Sequence, residues 1–210
     1  MIGYWSLNND VKDYSGNGYH GTNNGAVSKG DYYSFNDNSN IILPTLPLLS
    51  QFTILVKVKR TANTNWDGLF GTEGSICHFQ LEASGRMNCY LYSGVGLGLN
   101  TGTNYITADG NWHLATLTYD GTNITLYKDN ILDATIADPT PGGTIASTDT
   151  WRIGMSHDTT RYLNGNIDYA KMFNRALTAE EIAIEYNTMV NNEVQIHDSG
   201  KLYAKSMKQY

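Results

Sequence analysis

The chain has 210 residues, 40% of them hydrophobic and only 16% charged, so it carries enough apolar surface for one continuous core. Its formal net charge is −6, and its Lys and Arg form no long run, which argues against a phosphate backbone as partner. No apolar stretch is long enough to cross a bilayer, so no membrane span is expected.

Met1 leads straight into Ile2-Gly3-Tyr4-Trp5-Ser6-Leu7, which reads as a strand. There is no basic start and no apolar leader, so no signal peptide is expected. Two origins fit that reading: a piece of a longer secreted protein, or a protein needing no export signal, such as a virion component released by lysis. The next segment, Gly16-Asn17-Gly18-Tyr19-His20-Gly21, matches the spacing of a dinucleotide-binding turn. That motif needs a helix after it, whereas Thr22-Asn23-Asn24-Gly25 reads as loop, so nucleotide binding is not expected.

Period-two alternation dominates the middle of the chain. Phe52 to Lys59 places its apolar residues on even positions, as a half-buried strand does. Ile76 to Leu81 and Met87 to Tyr92 form a hairpin around Ala83-Ser84-Gly85, with Gly85 in the left-handed position. In that register Cys77 faces Leu91 and Cys89 faces Phe79. The two sulfurs are then diagonal neighbours, too far apart for a disulfide, and both cysteines are read as free and buried. Trp112 to Tyr119, Asn123 to Lys128 and Ile131 to Ile136 are successive strands joined by Asp120-Gly121 and Asp129-Asn130. Trp151 to Gly154 and Ile167 to Phe173 add further strands. Trp112, Leu114, Leu126, Ile153, Ile167, Phe52, Ile54 and Val56 are the expected core.

One short C-terminal helix is well signalled. Thr178 and Glu181 form a capping box, Leu177 can staple onto Ile182, and Tyr186, Met189 and Val190 continue the apolar face. The helix is expected against the sandwich edge. Residues 1–190 read as one domain, and 191–210 as an extension that is either a short hairpin, Val194 to Ile196 and Lys201 to Ala204, or a tail.

Catalytic constellations are scarce. No two acids lie at i, i+2 on a strand, as a sandwich glycosidase needs to hold its acid and nucleophile. No serine sits in a nucleophile elbow, and the five histidines show no metal-ligand spacing. His113 reads as structural. The chain is therefore expected not to be an enzyme.

Four ordered segments carry a resemblance. Gly110 to Tyr127, with Trp112-His113 and Tyr119-Asp120-Gly121, resembles the "W-H-x-x-x-x-Y-D-G … L-Y" signature of laminin-G-like domains in the concanavalin A-like lectin/glucanase superfamily. Asp13 to Gly21 resembles their "D-x-S-G-N-G-x-x-G", and Phe52 to Val58 their "F-T-I-x-x-W-V". Gly165 to Ile182 resembles "G-x-I-D-E-V-R-I-Y-N-R-A-L-S-x-E-E-I", with Tyr169 where Glu is usual. The resemblance implies an all-β, two-sheet antiparallel jelly-roll sandwich with calcium in many members. It also implies glycan or protein binding on one face or rim.

There are two candidate sites. Asp13, Asn17 and Asp168 form a possible calcium site, since a hard cation wants several oxygens, although Asp13 and Asn17 can equally cap turns. The loop bearing His157, Asp158, Arg161 and Tyr162, together with Trp66 and Asp67, offers acids, bases and aromatics suited to sugar hydroxyls. The expected function is a non-catalytic binding module for a glycan or surface receptor, on a virion or outside a cell, with a homo-oligomer possible. The alternatives are a structural virion protein held by other virion proteins, and a polysaccharide hydrolase or lyase.

Overall fold

A computed structural model describes residues 1–63, 66–74, 76–92, 96–99, 103–138, 141, 150–157 and 160–199. In chain order the strands are β1 (Gly3–Trp5), β2 (Thr22–Asn24), β3 (Val27–Ser28), β4 (Tyr33–Phe35), β5 (Asn40–Ile42), β6 (Phe52–Arg60), β7 (Asp67–Thr72), β8 (Cys77–Leu81) and β9 (Met87–Tyr92). They continue as β10 (Gly96–Leu99), β11 (His113–Tyr119), β12 (Asn123–Lys128), β13 (Ile131–Ala137), β14 (Trp151–Ile153), β15 (Met155–Ser156), β16 (Arg161–Tyr162) and β17 (Gly165–Phe173), followed by helix α1 (Ala179–Ser199).

Two antiparallel sheets face each other in a jelly-roll sandwich. The larger has eight strands in the order β13-β12-β11-β6-β17-β4-β3, with β1 added on β17. The smaller has seven, in the order β10-β9-β8-β7-β14-β5-β2. Alternation along each strand sends one set of side chains into the shared core. From β6 these are Phe52, Ile54, Val56 and Val58; from β8 and β9 they include Cys77, Phe79, Cys89 and Leu91. Trp5, Phe70 and Trp151 meet in the core as tilted rings, with centroids 5.8 and 5.7 Å apart. The hairpin register is the one the sequence implies: Cys77 opposite Leu91, Phe79 opposite Cys89, and Gly85 at φ 94°. Both cysteines are buried and neither forms a disulfide, and burial pushes the Cys77 thiol up.

The helix begins as its capping box requires. Glu181 accepts the Thr178 amide at 3.0 Å, and the Thr178 hydroxyl accepts the Glu181 amide at 3.3 Å. Two expectations about it are corrected. It lies on the outer face of the larger sheet rather than at an edge, with Leu177, Ile182 and Met189 packed on Leu55 and Leu114. It also runs through Ser199, so Val194 to Ile196 are helical rather than a strand. Alternation of two or three residues is too short to overrule a helix already capped and propagating. Residues 200–210 lie outside the described residues. No helix among the described residues is long and apolar enough to cross a membrane.

Two further corrections concern the sheets. Thr22–Asn24 is a strand, paired with β5 at the edge of the smaller sheet, although all three residues are exposed. Edge pairing uses backbone groups and leaves no apolar signature. Trp112 is half-buried on the outer face, while the other seven expected core residues are buried. It precedes β11 and lies across Lys57 and Lys59, 5.3 and 4.9 Å from its ring.

His113 is structural, as its place in β11 suggests. Its Nδ1 meets Asp129 and its Nε2 meets Asp109, both at 3.2 Å. The hydrogen bond to Asp129, then its charge, raise the His113 pKa over the opposing effect of burial. A group raised in the folded state stabilises fully below its unfolded pKa, and the gain is lost as pH rises through the folded value. Stability should therefore fall as pH rises from about 6 through the His113 transition, and this component should vanish in His113→Gln. Urea unfolding at several pH values measures it, and an unchanged pH dependence in the variant contradicts the assignment.

Candidate functional site

The outer face of the seven-stranded sheet carries a row of residues set by cross-strand register. Gly71 pairs with His78, His78 with Tyr90, and Tyr90 with Gly98. Opposite residues share a face, so two ring side chains stand together between glycine positions on β7 and β10. The His78 and Tyr90 rings stack at 5.6 Å. One step along, Gly68, Gln80 and Asn88 form a parallel row, with Gln80 donating to Asn88 at 2.8 Å.

The β15–β16 hairpin lies on this face. It can approach because β7 has no side chain at two positions. A Cβ on Gly68 would meet the backbone of Met155, Ser156 and Arg161, and one on Gly71 would meet the Cys77 carbonyl of β8 first and then the Ser156 side chain. The Ser156 hydroxyl donates to Gln80 at 2.8 Å, which fixes the hairpin to the polar row. At the hairpin's turn His157 adopts φ 56°, a left-handed conformation uncommon outside glycine, and its ring lies 4.7 Å from that of His78. On the return strand Arg161 lies over the Trp66 ring at 4.3 Å. Three rings, His157, His78 and Tyr90, thus run from the hairpin across the sheet, with Trp66 and Arg161 on the hairpin's far flank.

A family model described as the concanavalin A-like lectin/glucanases superfamily matches residues 27–183. The chain belongs to that superfamily. Among curated proteins, none matches it in sequence. Several solved structures share the lectin-like fold at low identity. Domain 4 of AbnA, an extracellular arabinanase from Geobacillus stearothermophilus solved with arabinotriose, is 19% identical with a TM-score of 0.70, covering 87% of this chain and 96% of that one. The binding domain of Paraclostridial Mosquitocidal Protein 1 is 18% identical with a TM-score of 0.69, and 90% of this chain covers 52% of it, about half its length. The Ruminococcus gnavus IT-sialidase CBM40, bound to alpha2,3 sialyllactose, is 17% identical with a TM-score of 0.56, over 66% of this chain and 83% of that one.

The lectin-like fold sorts the residues that the sequence points to. Trp66, His157, Arg161 and Tyr162 are gathered around the hairpin, and each is half-buried. Asp158 lies outside the described residues. Asp67 points inward: it is 1% exposed, pairs with the guanidinium of buried Arg60, and accepts the Asn164 amide at 2.8 Å. Burial pushes its carboxyl up, against the opposing pulls of the Asn164 amide and Arg60. It is not placed to meet a ligand. Sequence reasoning misses half-buried Tyr90, although the hairpin register alone puts it on one face with His78, Gln80 and Asn88, which are buried.

Asp13, Asn17 and Asp168 each have partners within the protein. Asp13 Oδ1 accepts the amides of Tyr4 and Ser15 at 2.9 and 2.8 Å, and Oδ2 accepts the Ser15 hydroxyl and the Tyr19 amide at 2.9 and 3.0 Å. Those four donors match the acceptor capacity of an ionised carboxylate. Burial raises the Asp13 carboxyl, but these hydrogen bonds outweigh it and hold it below the usual range. Asn17 donates to the Ile2 carbonyl at 2.8 Å. Asp168 pairs instead with Lys57 on β6, at 2.8 Å. Among the described residues, no three His, Cys, Asp or Glu side chains are grouped to hold a metal. With four donors in place, the Asp13 carboxylate has its acceptor positions taken by the protein.

Two outcomes are expected. Thermal unfolding in chelator and in millimolar calcium should coincide; a rise in melting temperature with calcium contradicts the hydrogen-bonded role of Asp13. Asp67→Asn leaves the Arg60 charge buried without its counter-ion and should destabilise the fold by about 3 kcal/mol or more. Denaturant unfolding checks this, and a loss under about 1 kcal/mol shows the pair to be dispensable.

Proposed function

We propose that this chain is a non-catalytic carbohydrate-binding module that holds a glycan on the outer face of the seven-stranded sheet, against Tyr90 and His157 at the β15–β16 hairpin. The observation that carries this reading is the ring row bounded by glycine. A sugar presents apolar C–H faces and a rim of hydroxyls. Aromatic faces complement the first, and a few fixed polar groups the second. His157 and Tyr90, both half-buried, provide the faces, and half-buried Arg161 a polar group; His78, Gln80, Asn88 and Ser156 are buried and hold those rings and the hairpin in place. Two of the fold neighbours, the arabinanase domain and the sialidase module, were solved with an oligosaccharide, which supports the same reading.

The placement of acids supports a binding role over a hydrolytic one. Glycosidic cleavage needs two carboxyl groups facing one bond. Here the acids supplied by strands and turns have structural partners. Glu82 makes a bidentate pair with Arg86, Asp129 holds His113, Asp168 holds Lys57, and Asp120 accepts the amides of Thr122 and Asn123.

Glycan-array binding followed by calorimetry on the best ligand tests the proposal. Tyr90 is half-buried, so Tyr90→Ala should fold normally. It should nonetheless weaken binding about tenfold, corresponding to about 1.4 kcal/mol. Unaltered affinity in Tyr90→Ala, or no glycan bound by the wild type, overturns the placement.

A further inference from the structure

We propose a second carbohydrate site on the opposite face of the sandwich, formed by Trp112, Tyr32 and Lys59, that takes a sugar bearing a carboxylate. It stands on observations separate from those behind the first site.

Helix α1 covers only part of the larger sheet's outer face, the part built on Leu55 and Leu114. Beyond it the same face turns to rings and lysines. Trp112 and Tyr32 are both half-buried and meet edge to face at 5.5 Å. Lys59, also half-buried, holds its ammonium 4.9 Å from the Trp112 ring and 5.7 Å from the Tyr32 ring. Its neighbour Lys57 is already matched by Asp168. Lys59 has no carboxylate partner among the described residues, in a chain of net charge −6. A cation held over two rings is weakly satisfied, because cation–π attraction at an exposed site is smaller than a charge-assisted hydrogen bond. A ligand with both an apolar face and a carboxylate improves both terms. Its ring takes the aromatic surface, and its carboxylate takes the ammonium, which sits on a flexible stem and can turn to meet it.

An acidic sugar has this chemistry. Uronate and sialate both supply it, and the test separates them. Lectin-like modules with sites on both faces can bridge two chains, which raises avidity without new contacts at either site.

Tryptophan fluorescence and calorimetry with tetragalacturonate, sialyllactose and neutral lactose test the site, each at low and high salt. Wild type should bind at least one acidic probe, more weakly as salt rises. Lys59→Gln should lose about tenfold in affinity and Lys59→Arg should keep most of it. Trp112→Ala should also lose binding; if it fails to fold, Lys59→Gln decides alone. Tyr90→Ala should leave this binding intact, which separates it from the first site. Binding of neither acidic probe, equal affinity in Lys59→Gln, or loss through Tyr90→Ala instead overturns the proposal.

Discussion

Strand β6 is buried on both faces for most of its length, and the rest of the molecule is arranged to cover it. Its inner residues, Phe52, Ile54, Val56 and Val58, are covered by the opposite sheet. Its outer residues change character along the strand, from Thr53 and Leu55 to Lys57 and Lys59. The first pair draws in the helix. Thr53 donates to the Arg175 carbonyl and accepts the Leu177 amide, both at 2.9 Å, and Leu55 meets the apolar stripe of α1. The second pair needs rings and counter-charge instead, which Trp112 and Asp168 supply. A single strand thus sets where the helix lies and where the open, aromatic part of that face begins.

The partner strand shows how Asp168 comes to meet that need. On β17 the register against β6 shifts between Ile167 and Tyr169, leaving Asp168 as the extra residue of a bulge. Without it, alternation would carry Tyr169 into the core. With it, Ile167, Ala170 and Met172 stay inside, while Tyr169 packs beneath the helix and Asp168 reaches Lys57. The "I-D" of this segment thus has a mechanical role that requires no metal. The same holds for Asp13 in its "D-x-S-G-N-G" loop. By gathering the Tyr4, Ser15 and Tyr19 amides it fixes the loop against β1, and the Trp5 indole then donates to the Tyr19 carbonyl at 2.7 Å.

What the sequence shows depends on how local the determining force is. The β8–β9 register, the Gly85 conformation, the capping box and the inner face of β6 arise from contacts within a few residues or from strict alternation, and each reads directly. Trp112 is misplaced by pattern alone because a tryptophan at a strand start looks like core, and only the lysines across the sheet reveal it as outer-face cover. Asp67 is misplaced for the opposite reason. A polar residue beside Trp66 looks exposed until Arg60, seven residues earlier, is folded onto it. Both errors concern partners whose proximity is created by sheet order, which local pattern does not encode.

The candidate glycan site illustrates the same limit. Its polar and aromatic residues are visible as the outward half of an alternating hairpin, but so is every outward residue of every strand. The glycines distinguish this row. Gly68 and Gly71 allow a hairpin from a distant part of the chain to lie on β7, and Gly98 keeps the position beside Tyr90 clear of a side chain. A glycine inside a strand weakens it, since it adds no packing and costs backbone entropy. Its presence at these positions on one face marks surface kept low for something else to approach. On β7 that approach is made by the chain's own hairpin; on β10 the cleared position stands next to a ring, on the face where the glycan is proposed to lie.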